Sequence, residues 1–168
     1  MKKLALFLAF ILLVGIFAGC KGAEEAGANR SIENADGTLS DWMKEEIEEA
    51  YKKKMFEEHG IENITNFGGW WEPENPINYT RAYYGTYNGY IMYCYARGAE
   101  AYMSKTIAGY EFTFPTIHEF YAYKDGEFYD LEELLSQGLI DEKAIKIAYD
   151  AHRRIIEITR EYKDQKNK

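Results

Sequence analysis

The distribution of apolar positions divides the chain into six regions. An unbroken apolar run from Leu4 to Phe17 follows Lys2 and Lys3. The stretch Lys21 to Gly37 has one large apolar residue, Ile32, among Gly, Ala, Glu and Asn, and reads as a flexible tether. From Asp41 the spacing of Trp42, Ile47, Ala50, Tyr51 and Met55 is helical, with Ser40 placed to cap the start and Gly60 to stop the end. Glu62 to Tyr79 carries Gly68-Gly69, Pro73 and Pro76 and is irregular. Thr80 to Tyr129 is dense in strand formers. Turns are expected at Arg97-Gly98-Ala99, Ala108-Gly109 and Asp125-Gly126, giving strands at Glu100 to Ile107, Tyr110 to Phe114 and Ile117 to Tyr123. Asn88-Gly89 fits a hairpin turn or a bulge within one long strand, and the bulge is slightly favoured. A short helix from Leu131 to Gln137 and a long one capped by Asp141 close the chain. Ile145, Ala148, Tyr149, His152, Ile155, Ile156 and Thr159 form the long helix's apolar stripe. The expected class is α+β: an N-terminal helix, an antiparallel β-meander of about four strands, then a short and a long C-terminal helix packed on one face of the sheet.

The N-terminal run spans about 14 residues, roughly 21 Å as a helix. A membrane-spanning helix needs roughly 20 residues, so the pattern is that of a removable signal peptide. Its end, Phe17-Ala18-Gly19-Cys20, resembles the lipobox of prokaryotic lipoproteins, with Phe17 where leucine is more usual. The resemblance implies cleavage before Cys20, a lipid-modified Cys20 and attachment to the extracytoplasmic face of the cell membrane. Acyl chains hold a protein there because each buried CH₂ is worth about 0.8 kcal/mol. The expected organisation is a signal peptide at 1–19, the lipidated cysteine and tether at 20–37, and a single domain at 38–168. With Cys20 lipidated, Cys94 has no disulfide partner, and its apolar setting suggests a buried side chain.

Charge narrows the partner class. The formal net charge is −8; removing Lys2 and Lys3 leaves 18 Lys+Arg against 28 Asp+Glu, or −10. Such a domain repels phosphates, so no nucleic-acid partner is expected.

A second resemblance lies in Tyr84-Gly85-Thr86-Tyr87-Asn88-Gly89, Ile107-Ala108-Gly109-Tyr110-Glu111-Phe112-Thr113-Phe114 and Tyr123-Lys124-Asp125-Gly126-Glu127-Phe128-Tyr129 with the following Asp130-Leu131-Glu132-Glu133. These segments and the Gly138-Leu139-Ile140-Asp141 turn look like a recurring small domain of exported bacterial surface proteins, notably of Firmicutes. The resemblance covers Tyr84 to His152. It concerns fold alone, and no active-site residue transfers from it.

Candidate chemistry is sparse. His59, His118 and His152 show no metal-ligand spacing, and no nucleophile elbow, phosphate loop or dinucleotide fingerprint occurs. Glu132-Glu133 reads as a solvated pair at a helix start. No catalytic residue, metal or cofactor is expected. The unusual feature is 15 tyrosines in a chain that is 16% aromatic. Alternation places Tyr83 and Tyr87 on one face of a strand and Tyr84 on the other. Both faces then carry rings, and a single helix layer hides only one. Cross-strand ladders account for such rings. They also suit recognition, because Tyr and Trp supply contact area at low entropy cost. The candidate binding surface is Trp70, Trp71, Tyr83 and Tyr87. The expected function is a non-enzymatic binding module, membrane-held through its lipid, with an envelope protein or glycan as ligand. The alternative is a cell-envelope hydrolase with a site assembled in space, using His118 or His152.

Overall fold

The first described helix, α1 (Asp41–His59), ends where Gly60 turns into the left-handed region at φ 66° and bonds back to the Met55 and Phe56 carbonyls. The computed structural model describes residues 30–64 and 68–168, leaving aside the side chains of 97–102 and 114–118. The signal peptide, Cys20 and most of the expected tether lie outside the described residues.

Four strands follow: β1 (Arg81–Tyr87), β2 (Tyr90–Ile107), β3 (Tyr110–Lys124) and β4 (Glu127–Asp130). They form one antiparallel meander in the order β1-β2-β3-β4. Helices α2 (Leu131–Ser136) and α3 (Glu142–Lys166) complete the chain. Asp130 caps α2 by accepting from the backbone N–H groups of Glu132 and Glu133, and Asp141 caps α3 by accepting from those of Lys143 and Ala144.

The strand turns depart from expectation in one place. Asn88-Gly89 is a two-residue hairpin turn joining Tyr87 to Tyr90, not a bulge. Both residues have positive φ, 50° and 79°, the turn geometry that matches the right-handed twist of the flanking strands. Ala108-Gly109 and Asp125-Gly126 repeat it. The bulge sits three residues earlier, between Tyr83 and Gly85. It reverses the alternation beyond it, so Tyr83 and Tyr87 serve opposite faces.

No turn interrupts β2 at Arg97-Gly98-Ala99; the strand runs through with a register shift between Gly98 and Met103, and β3 likewise continues across 115–116. The shift has a geometric consequence. Phe112 and Phe120 lie eight residues apart in β3, about 26 Å along a straight strand. Their ring centroids are nevertheless 4.8 Å apart. The β2–β3 hairpin therefore folds back on itself, and the Tyr110 ring at its tip lies tilted against Tyr149 of α3 at 5.1 Å.

Two apolar cores result. On one face Tyr84, Met92, Cys94, Phe112, Phe120 and Ala122 pack against Leu131 and Leu134 of α2 and Ala144, Ile145, Ala148 and Ile155 of α3. On the other, Ile91, Tyr93, Tyr123 and Trp70 pack against Leu39 and against Met43 and Ile47 of α1. The C-terminal helices share one face as expected. Helix α1 covers the other, so both aromatic faces are hidden by helices. Each fully buried large side chain contributes about 1.5–3 kcal/mol.

Residues Ile32–Lys168 form one compact unit. It begins before Thr38, so the end of the expected tether is folded: Glu33 bridges Leu39, and the Asp36 carboxylate accepts from the Thr38 hydroxyl at 2.6 Å and backbone N–H at 2.9 Å. Among the described residues no helix is long and apolar enough to cross a membrane.

Candidate functional site

Between α1 and the sheet lies a cavity of about 240 Å³. Helical periodicity builds one wall: Ile47, Tyr51 and Met55 are spaced by four and share a face of α1. The opposite wall is two rows across the sheet. Arg81, Tyr95 and Glu119 are register partners on β1, β2 and β3; Tyr83, Tyr93 and Tyr121 form the adjacent row. All but Tyr83 line the cavity. Ile61 and Ile64, brought back by the Gly60 cap, line its end. Phe56 and Ile61 leave about half their surfaces exposed near this end.

The wall is ordered by polar contacts. Arg81 is buried and paired with Glu48 of α1 at 3.1 Å. Its guanidinium lies 5.6 Å from the Trp70 ring centre and 5.7 Å from that of Tyr95. The Tyr121 hydroxyl donates to the Glu119 carboxylate. Tyr93 is 4% exposed, tilted against Tyr121 at 5.6 Å and against Trp70 at the same distance. Burial pushes its phenol well above the ordinary tyrosine range, and the nearby Arg81 charge offsets this in part. The phenol is therefore neutral at physiological pH.

The four expected surface residues do not form one exposed patch. Trp70 is 9% exposed and belongs to the core beneath α1, a correction to its expected place on a recognition face. It is buried because the segment before β1 runs alongside that strand, with Trp70 bridging Arg81. Trp71 is half-buried; with Tyr83 it lines a small cleft of about 80 Å³ beside Arg154. The Tyr83 hydroxyl donates to Glu33 at 2.6 Å, and burial raises its pKa. Tyr87 packs on the α3 side, where its hydroxyl bonds to Asp141 and holds that acid below the usual carboxylate range. Thus Trp71 and Tyr83 share a cleft that Tyr87 does not line, while Trp71 and Tyr87 pack against the same α3-side core and Tyr83 against the other.

The remaining candidates have structural surroundings. His152 is buried, with Nδ1 3.2 Å from the Tyr84 hydroxyl, while Nε2 accepts from the Thr113 N–H at 3.4 Å. Cys94 is buried, and burial raises its thiol far above the usual range. His59 is exposed at the end of α1, and the His118 side chain lies outside the described residues. Glu132 pairs with Lys105 across to β2. Among the described residues no group of three or more His, Cys, Asp and Glu could hold a metal ion.

Reading the sequence alone missed Arg81, Glu119 and Tyr121 as site residues. Tyr93 and Tyr95 entered only among the chain's 15 tyrosines. The usable signal was the i,i+2 pairing of Tyr93 with Tyr95 and of Glu119 with Tyr121, which becomes a site once the strands are in register.

No family model matches the chain, and no curated protein or solved structure matches it either.

Proposed function

We propose that the chain is an exported lipoprotein, cleaved before Cys20 and held by acyl chains on the outer face of the cytoplasmic membrane. Its folded unit is a non-enzymatic binding module that takes an envelope protein or glycan. The observation that carries the binding reading is the cavity under α1. It combines tyrosines Tyr51, Tyr93, Tyr95 and Tyr121 with one ion-paired arginine and exposed apolar groups near its end. Such a mixture of rings and a few placed polar groups is what recognition sites use. The volume exceeds that of a 150 Å³ cavity that takes benzene and falls below about 300 Å³, where drug-sized sites begin. It suits one side chain or sugar edge.

The lipid part rests on the lipobox residues. Cys20→Ser should abolish lipid incorporation and leave the chain unprocessed or soluble. Normal membrane retention of a cleaved Cys20→Ser form would overturn it. The binding part is tested with the full chain in lipid nanodiscs as bait for envelope extract. A retained partner should be lost on Tyr95→Ala and on Met55→Arg, which fills the cavity. Equal retention by both folded variants would place binding elsewhere.

A further inference from the structure

We infer that the groove along α3 is a second binding site, one that receives a phosphate ester: the anion at Arg160 and Lys163, and the ring or stem that carries it along Tyr79 and Ile156. The groove lies on the α3 side of the sheet, away from the α1 cavity, and the inference is independent of the reading of that cavity.

The groove encloses about 270 Å³. Helical periodicity builds its long wall: Ile156, Arg160 and Lys163 recur at spacings of four and three and share a face of α3. Half-buried Tyr79 stands beside them because the segment before β1 meets α3 at Thr159, whose Oγ1 lies 3.4 Å from the Pro76 carbonyl oxygen. Burial keeps the Tyr79 phenol protonated, so it brings a ring and a hydroxyl but no charge.

The charges set the sign of the ligand. Three cations line the groove, Arg153, Arg160 and Lys163, against two acids, Glu111 and Glu157, in a chain whose net charge is −8. Glu157 pairs with Arg153 at 3.5 Å. Glu111 sits at the other end, between Tyr110, which meets Tyr149, and Phe112, which meets Tyr149 and His152. His152 precedes Arg160 by eight residues, about 12 Å along the helix, which exceeds the screening length of about 8 Å at physiological salt. Arg160 and Lys163 are exposed, and their side chains make no ion pair or hydrogen bond among the described residues. Glu161 and Asp164, their acidic neighbours on α3, do not line the groove. The helix dipole favours cations near a C-terminus, but it does not gather two unpaired ones beside a half-buried tyrosine. A guanidinium fork and an ammonium one turn apart match the several oxygens of a phosphate better than the two of a carboxylate. Tyr79 and Ile156 supply contact area for the group that carries it.

The test is isothermal titration of the full chain in zwitterionic-lipid nanodiscs with phenyl phosphate, phenol, inorganic phosphate and benzylamine. Phenyl phosphate should bind roughly tenfold more tightly than phenol, the worth of one charge-assisted contact, and more tightly than inorganic phosphate, which lacks the ring. Arg160→Gln and Lys163→Gln should each weaken phenyl phosphate by roughly tenfold, with melting temperatures within about 2 °C of wild type because both side chains are exposed. Lys166→Gln removes the same charge from a side chain that lies over Tyr162 and does not line the groove, and should leave binding unchanged. Absence of phenyl phosphate binding, binding unchanged in both groove variants, or equal weakening by Lys166→Gln overturns the site. Benzylamine binding as tightly as phenyl phosphate overturns the anion assignment. Lysine acylation read by mass spectrometry separates the sources of the phosphate. Phenyl phosphate should slow acylation of Lys163 relative to the exposed Lys53. The same slowing in nanodiscs containing phosphatidylglycerol, without phenyl phosphate and lost in Arg160→Gln, assigns the groove to lipid headgroups; acylation unchanged by that lipid assigns it to free phosphate esters.

Discussion

His152→Ala distinguishes a structural histidine from a chemical one. The ring is 4% exposed, tilted on Phe112 at 5.3 Å and edge-on to Tyr84 at 6.0 Å. Its removal deprives the Tyr84 hydroxyl and the Thr113 N–H of a partner. The buried Tyr84 contact is worth about 1 kcal/mol, and the Thr113 contact, near solvent, about half of that. The ring-sized void beside Phe112 and Tyr84 adds about 1–2 kcal/mol. The expected loss is about 3 kcal/mol. A domain of this size shifts by about 3–4 °C per kcal/mol, so the melting temperature should fall by roughly 10 °C. His152→Phe restores ring volume without nitrogen atoms and should recover about half of the loss. Thermal unfolding followed by circular dichroism at pH 7.5 measures both. A melting temperature within about 2 °C of wild type for His152→Ala would refute the reasoning, since such a loss is under 1 kcal/mol. It would return His152 to the candidates for chemistry at the neighbouring groove of Tyr79, Glu111 and Thr113.

Other expectations follow from the same packing. Burial holds the Tyr79 phenol up to about 12, and also raises Tyr84, Tyr93 and the Cys94 thiol. These groups stay protonated in the folded state after the unfolded chain has begun to ionise. Stability should therefore be intact below about pH 9 and fall as pH rises through 10 to 12; a flat denaturation midpoint across that window would contradict it. Cys94 should react with a thiol reagent only at the rate of unfolding, and immediate native labelling would show it to be accessible. Gly85→Ala should destabilise by more than about 1 kcal/mol, because φ is +110° and the new Cβ would lie 2.9 Å from Ile147 Cγ2; denaturant titration reads the loss. Asp130→Ala removes both cap bonds of α2 and should cost about 1 kcal/mol, read as a drop of a few degrees in melting temperature.

The local parts of this fold were legible from residue patterns. Gly60, Asp130 and Asp141 mark helix ends through backbone chemistry that acts within a few residues, and Lys124-Asp125-Gly126-Glu127 specifies its own hairpin. The order of elements and the α3 stripe follow from periodicity. What remained hidden depends on contacts between distant segments. Nothing near Asp41 says which sheet face α1 covers, and that choice buries Trp70, which was expected to lie bare. Asn88-Gly89 fits turn or bulge locally; the pairing of Tyr87 with Tyr90 decides it. The displaced bulge at Gly85 then separates Tyr83 from Tyr87. The cavity needed α1, three strand registers and the Gly60 return all at once. Its polar members, Arg81 and Glu119, look like ordinary strand residues until they are aligned.

The most direct test of the cavity as the binding site is amide hydrogen exchange of the full chain in nanodiscs, with and without a captured envelope partner. Slowed exchange should appear at residues 55–64, at Tyr93 and Tyr95, and at Glu119 and Tyr121. Protection confined to α3 or to the Trp71–Tyr83 cleft, with those residues unchanged, would contradict it.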